Sequence, residues 1–205
     1  MIAIIDYGMG NLGSVANAFQ VLGAEAKIVA DPAALRDASG IVLPGVGAFG
    51  DGMRNLHERG FVEEMQAQVV EGGKPFLGLC LGLQLLGTTG FEHGTHAGLG
   101  WVPGVVDRLA VPGDLRVPHI GWNDVRFVKT DGVYAGLGDK QVCYFVHSYA
   151  FQPEDRSVIS GVCDYGVEFV ASIACGNIHA TQFHPEKSHK AGLAMLRNWS
   201  NLTKS

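Results

Sequence analysis

The 205-residue sequence is poor in charge, has no basic excess and has no paired cysteines. Asp, Glu, Lys and Arg make up 17% of it, against ~25% in an average domain. Hydrophobic residues reach 47% and the mean hydropathy is +0.16. That excludes a disordered chain, which needs low hydrophobicity and high net charge. The 15 Lys and Arg against 20 Asp and Glu leave a net charge of −5. With no basic stripe to meet phosphates, nucleic acid is not an expected ligand. No apolar run reaches the ~18 residues of a membrane span, so no membrane association is expected. Residues 1–6 carry no basic leader segment. The four cysteines, Cys80, Cys143, Cys163 and Cys175, form no C-x-x-C pair. Reduced thiols and a cytoplasmic location are the expectation. His93 and His96 share a glycine-rich loop but lack further ligand partners at metal spacing. Neither a metal nor an organic cofactor is expected.

Glycine, in contrast, is plentiful: 29 residues, about twice the usual ~7%. The short apolar run 2–6 reads as a buried strand, and 26–30, 40–46 and 75–79 as further strands. Between them, residues 12–22 place Val15, Ala18, Phe19 and Leu22 at helical spacing, with Gly23 as the stop. Residues 51–71 form a second helical stretch with a break at Gly60, and 80–86 a short apolar one. Alternating strands and helices predict βαβ units, with ligands at the carboxyl ends of the strands. After Gly94 the stretches 105–117, 125–128, 141–151, 157–173 and 177–182 are β-rich, and 188–199 closes the chain as a helix. The expected fold class is α/β: one domain over residues 1–205, with a central, mostly parallel sheet flanked by helices and antiparallel additions in the second half.

Two glycine motifs compete for function. Gly8-Met9-Gly10-Asn11-Leu12-Gly13 fits G-x-G-x-x-G between a strand and a helix, the setting of a dinucleotide site, and Asp31 follows about 20 residues later. Against this, Asp6 directly before the turn would repel a pyrophosphate across a low-dielectric gap. Asp31 before Pro32 has its own explanation as a helix N-cap. A tightly packed turn is the plainer reading of this motif, and a non-catalytic nucleotide-binding module the alternative.

The second motif, Gly78-Leu79-Cys80-Leu81-Gly82, joins a buried strand to a short helix. It has the form of a nucleophile elbow with Cys in place of Ser. Such a turn presents Cys80 at the strand's carboxyl end and the helix N-terminus, which favours thiolate. The Leu81 N–H is placed to donate to an oxyanion. A lone Cys in an apolar strand is more often simple core; the flanking glycines argue for function.

A Cys nucleophile needs a base, and the base an orienting acid. His57 sits among polar residues and reads as solvated, while His119, His147 and His179 read as structural. In His184-Pro185-Glu186 the proline pushes His184 toward an extended backbone. Residues i and i+2 of an extended chain project to one side, so Glu186 faces His184. Taken with the elbow, this makes Cys80, His184 and Glu186 the candidate triad.

These residues, with Gln84 after the elbow, resemble the class I glutamine amidotransferases, whose fold is flavodoxin-like. Those enzymes hydrolyse glutamine through a Cys-His-Glu triad and pass ammonia to a synthase. The resemblance narrows to the glutaminase subunits of imidazole glycerol phosphate synthase in histidine biosynthesis. It rests on Ile4-Ile5-Asp6-Tyr7-Gly8-Met9-Gly10-Asn11-Leu12, Pro44-Gly45-Val46-Gly47-Ala48-Phe49, Pro118-His119-Ile120-Gly121-Trp122-Asn123, Tyr144-Phe145-Val146-His147-Ser148-Tyr149 and Lys187-Ser188. It runs over essentially the whole chain, in order. It implies that glutamine is held by Gly47, Gln84, Glu92, Ser148 and Tyr149. The Val46 peptide is implied as a second oxyanion donor that turns into place only with a partner. Asn11 and Trp122 are implied to face a (β/α)₈-barrel cyclase subunit, in a heterodimer. The ammonia would serve synthesis of imidazole glycerol phosphate and aminoimidazole carboxamide ribotide. A glutaminase of another synthase, such as that of pyridoxal phosphate, is the alternative with the same chemistry.

Overall fold

The computed structural model describes residues 1–204. In chain order, β1 (Ile2–Ile5) leads into α1 (Leu12–Val21), then β2 (Ala26–Val29) and β3 (Gly40–Gly45). Next come α2 (Phe49–Glu58), α3 (Phe61–Met65), β4 (Phe76–Cys80) and the single turn α4 (Leu81–Gln84). The second half holds β5 (Thr89–Gly90), β6 (His96–Ala97), β7 (Gly104–Arg108), β8 (His119–Phe127), β9 (Lys140–His147) and β10 (Tyr149–Pro153). It ends with β11 (Ile159–Asp164), β12 (Glu168–Cys175), β13 (Ile178–Thr181) and α5 (His189–Leu202).

One nine-stranded sheet runs in the order β2-β1-β3-β4-β13-β12-β11-β8-β9. From β2 to β13 the neighbours pair in parallel, and from β13 to β9 antiparallel. A second sheet has the order β10-β7-β5-β6. The large sheet separates two apolar layers. On one face Ile2, Ile4 and Val42 pack with Phe19 of α1 and Met195, Leu196 and Trp199 of α5. On the other, Ala3, Ile5, Ile41 and Leu43 pack with Phe49, Met53, Phe61, Leu83 and, from the small sheet, Val106 and Phe151. Alternate residues of β1 and β3 thus go to opposite layers, as a buried parallel strand requires. The α/β expectation stands, with the antiparallel strands continuing the same sheet.

Several boundaries differ from the sequence reading. Gly60 breaks the second helix as expected, in the left-handed region at φ 70°. The helix nonetheless starts earlier, at Phe49, and finishes in a π-helical turn over Gln66–Glu71. The strand expected over 105–117 stops at Arg108. The run 141–151 is two strands in different sheets, parted at Ser148. Among the described residues no helix is long and apolar enough to cross a membrane.

The Gly8 turn is closed by its own chain. The Asp6 carboxylate accepts from Gly8 N–H at 2.9 Å, and Arg59 pairs with Asp6 at 3.7 Å. Asp31 caps a short 3₁₀ turn, accepting from Ala33 N–H at 3.0 Å. Both acids therefore have local structural work, which disfavours a pyrophosphate at this turn.

Candidate active site

Parallel strands end their backbone pairing at their carboxyl ends, and the site forms there, after β3, β4 and β13. Cys80 closes β4 at φ 55°, ψ −104°, a conformation that costs a non-glycine residue of order 1–3 kcal/mol. The two neighbouring glycines permit it. A Cβ on Gly78 would meet the Gly82 carbonyl, and one on Gly82 would run into the Leu43 carbonyl of β3. Strand, turn and helix thus pack at glycine distance, and the Cys80 side chain is pushed out at the turn. As the first residue of α4, Leu81 has an N–H with no partner inside the helix. Because α4 is one turn long, its dipole offers less support to a thiolate than the longer helix read from the sequence (80–86).

His184 and Glu186 follow β13, one strand over. The imidazole Nδ1 meets Glu186 Oε1 at 2.8 Å, with side chains 3% and 1% exposed. This pair leaves Nε2 as the nitrogen available to Cys80. Burial alone would hold the imidazole neutral, but the neighbouring Cys80 sulfur and the Glu186 carboxylate outweigh it and raise its pKa to about 10. The turn is pinned to β9 at the edge of the sheet. His184 N–H donates to the Tyr144 carbonyl at 2.9 Å, Tyr144 N–H donates to Ser188 Oγ at 3.0 Å, and Ser188 Oγ donates to the His184 carbonyl at 2.6 Å.

In front of Cys80 lies a cavity of about 450 Å³. It is lined by every residue singled out for substrate or oxyanion binding: Val46, Gly47, Cys80, Leu81, Gln84, Glu92, Ser148 and Tyr149. A cavity of about 560 Å³ elsewhere, beside Arg108 and Phe151, holds no triad residue. Gln84 is buried and spends both amide hydrogens, on the Tyr149 carbonyl at 2.9 Å and on Gln182 Oε1 at 3.0 Å. Only its carbonyl oxygen remains for a ligand. Glu92 Oε2 accepts from Phe49 N–H at 2.8 Å. This caps α2 directly after Val46-Gly47-Ala48, because Ala48 has no side chain able to do so. The Ser148 carbonyl is taken by Leu109 N–H.

The remaining candidates lie outside the cavity. Asn11 starts α1 without a capping bond from its side chain. Trp122 is 47% exposed on β8, stacked on His189 at 4.6 Å and edge-on to Tyr144 at 5.6 Å. Simple core is thereby excluded for Trp122. His57 is exposed, and His119, His147 and His179 are buried. Among the described residues no three His, Cys, Asp or Glu side chains form a metal cluster.

The sequence reading missed Gln182. It is fully buried and its Nε2 donates to Cys80 Sγ at 3.6 Å. It lies just past β13, in the bend that leads to His184, so no strand pattern marks it. It also missed Tyr144 and Ser188 as the anchors of the His184 turn.

Comparison with known proteins agrees with this geometry. Residues 3–201 match the family model described as glutamine amidotransferase class-I. The imidazole glycerol phosphate synthase subunit HisH of Geobacter sulfurreducens is 50% identical, over 98% of both chains. That of Moorella thermoacetica is 48% identical, over 99% of this chain and 95% of its own. A glutamine amidotransferase structure from Thermotoga maritima, at 16% identity, shares the fold with a TM-score of 0.74 over 100% of this chain and 98% of its own. This chain belongs to the class-I glutamine amidotransferase family and, within it, to the HisH subunits of imidazole glycerol phosphate synthase.

Proposed function

We infer that the chain hydrolyses glutamine to glutamate and ammonia at Cys80, and that the ammonia is used by a cyclase subunit in histidine biosynthesis. The observation that carries this reading is the buried His184–Glu186 pair, set beside a cysteine in a strained elbow at the wall of a cavity of about 450 Å³.

Cys80 Sγ attacks the carboxamide carbon, its proton having passed to His184 Nε2. Glu186 on Nδ1 fixes the tautomer and stabilises the imidazolium. The carbonyl oxygen becomes an oxyanion, held by the Leu81 N–H and, once its peptide has turned inward, the Val46 N–H. His184 returns the proton to the departing nitrogen, which leaves as ammonia, and a thioester remains. Water, deprotonated by His184, then attacks the thioester, and glutamate departs as the thiol is regenerated. The Gln84 carbonyl oxygen and the free Glu92 oxygen suit the α-ammonium of glutamine. Gly47, Ser148 and Tyr149 contribute backbone around it.

The partner is a (β/α)₈-barrel cyclase in a heterodimer, seated on the surface that carries Asn11 and Trp122. What supports this face is its exposure: Ile120 at 59% and Trp122 at 47% project from one side of β8. A cytoplasmic location follows from the reading of four unpaired thiols and a biosynthetic role. Residues 1–205 act as one domain.

Glutamate release from glutamine is the test, for wild type and Cys80→Ala, alone and with the cyclase subunit and a ligand of its site. Release is expected only with Cys80 and to rise about 10²–10³-fold with partner and ligand, the worth of one oxyanion donor. Equal release by the isolated chain would overturn the turning Val46 peptide. No Cys80-dependent release in a folded complex would overturn the glutaminase.

A further inference from the structure

Gln182 belongs to a row of hydrogen bonds whose direction is fixed throughout. The Tyr149 carbonyl can only accept, so the Gln84 atom facing it is the amide nitrogen. That nitrogen's second hydrogen goes to Gln182, so Gln182 presents oxygen to Gln84 and nitrogen to Cys80. From the other side His147 Nδ1 donates to the same Tyr149 carbonyl at 2.9 Å. His147 Nε2 must then accept, and it takes the proton of His119 Nδ1 at 3.0 Å. His119 Nε2 in turn accepts from Asn123 Nδ2 at 3.3 Å, whose other hydrogen goes to the Asp164 carbonyl at 2.9 Å. Gln84, Gln182, His119 and His147 are all buried. No side chain in the row can turn over without setting donor against donor or acceptor against acceptor.

We propose that Gln182 is a positioning residue for the nucleophile: its amide N–H, aimed by Gln84 and the Tyr149 carbonyl, holds Cys80 Sγ and stabilises it as thiolate. The proposal rests on Cys80 being the nucleophile of a glutaminase. The sulfur has few other polar neighbours. Apart from the neighbouring His184 imidazole, its other polar contact among the described residues is the Val146 carbonyl at 3.9 Å, where the thiol donates. That contact serves the protonated sulfur, whereas an N–H donor serves the charged one, because a donor to an anion strengthens as the charge forms. Gln182 and His184 both reach the sulfur from the bend that follows β13. The first supplies a fixed dipole and the second a mobile proton.

The row also explains a division of labour within the pocket. Gln84 faces the cavity and Gln182 lies behind it. Substrate contacts therefore fall to Gln84, and the state of the sulfur to Gln182.

The test uses Gln182→Glu and Gln182→Met in the complex with the cyclase subunit. Gln182→Glu keeps the length and the acceptor for Gln84 but replaces the donor to sulfur. Gln182→Met removes both polar atoms without adding charge. Two readouts are needed: kcat and KM for glutamine hydrolysis, and the pH profile of Cys80 alkylation by iodoacetamide, with Cys80→Ala as background for Cys143, Cys163 and Cys175. Both folded variants should lose about 10- to 100-fold in kcat, the range for a hydrogen bond to a charged group, with KM changed less than about threefold. The alkylation midpoint should move to higher pH. Three results would overturn the proposal: an unchanged alkylation profile in either folded variant, a rise in KM with kcat preserved (Gln182 then serving only Gln84), or a kcat loss matched by unfolding with the profile intact. Alkylation needs no turnover, so failure of the glutaminase reading itself shows separately, as absent Cys80-dependent release in wild type.

Discussion

Gly78 and Gly82 illustrate why single residues decide this site. Each is glycine because another backbone occupies the space of its Cβ, the Gly82 carbonyl for one and the Leu43 carbonyl for the other. Backbone cannot move aside as a flexible side chain does. Gly82→Ala should therefore cost about 3 kcal/mol or more, a fall of roughly 6–12 °C in melting temperature for a chain of this size. Gly13 is the contrasting case. It lies inside α1 at ordinary helical angles with nothing within 4 Å of a Cβ. Gly13→Ala should raise stability by about 0.5–1 kcal/mol. Thermal melts of the two variants check both signs. A destabilised Gly13→Ala would mean that the third glycine of the Gly8 turn has a packing role that the structure does not give it. The elbow and the His-Pro-Glu turn were legible in the sequence because each is local: a few neighbouring residues fix the geometry. Gln182 was not, because a glutamine's use depends on which way its amide faces. That is settled by Gln84 and Tyr149, far away in the chain.

The elements show the same divide between local and distant causes. The first four strands and α1 were readable from apolar runs and helical spacing, β1, β3 and β4 being buried along their length while β2 lies half exposed at the sheet edge. The break at Ser148 was not, because it arises when the chain leaves the edge of the large sheet to pair with β7. The pairing of β8 with β9 places His119 opposite His147. Burial lowers both to a pKa of about 4, with the Tyr149 carbonyl partly opposing this at His147 and the charges of His119 and His184 adding to it. The unfolded chain binds protons at both near 6.5. Between pH 6.5 and 4 the unfolded state therefore holds more protons, and stability falls as pH drops through that window. His184 acts on the other side. Its raised pKa gives stability that is full below 6.5 and lost as pH rises through about 10. Urea midpoints should climb from pH 4.5 to about 6.5 in wild type, less steeply in His147→Gln, and stop climbing above it, where the His184 loss begins. A flat wild-type profile would mean that the two imidazoles titrate freely in the folded chain.

At the scale of the whole molecule, the site and the exposed face of β8 are neighbours. Trp122 lies edge-on to Tyr144, and the Tyr144 ring lies 6.4 Å from that of His184. The Tyr144 backbone holds the His184 turn at both its N–H and its carbonyl, and Lys187 stands 5.6 Å from the Tyr144 ring. A subunit seated on Trp122 would press on the strand that positions the base, two rings from the chemistry. Large, half-exposed aromatics of this kind carry much of the energy where they are covered. Trp122→Ala should weaken cyclase binding by about 2 kcal/mol or more, roughly 30-fold in Kd. The melting temperature of the isolated chain should shift by only a few degrees, since Trp122 is already half in solvent. Calorimetric titration with the cyclase subunit measures the first and a thermal melt the second. An unchanged Kd would move the docking face away from β8. A large loss of intrinsic stability would recast Trp122 as a lid over His189 and Tyr144 that supports the fold. If binding weakens while Cys80-dependent release at saturating partner is retained, β8 supplies affinity alone. If release falls as well, the path from Trp122 through Tyr144 to His184 also carries the signal that a partner is present.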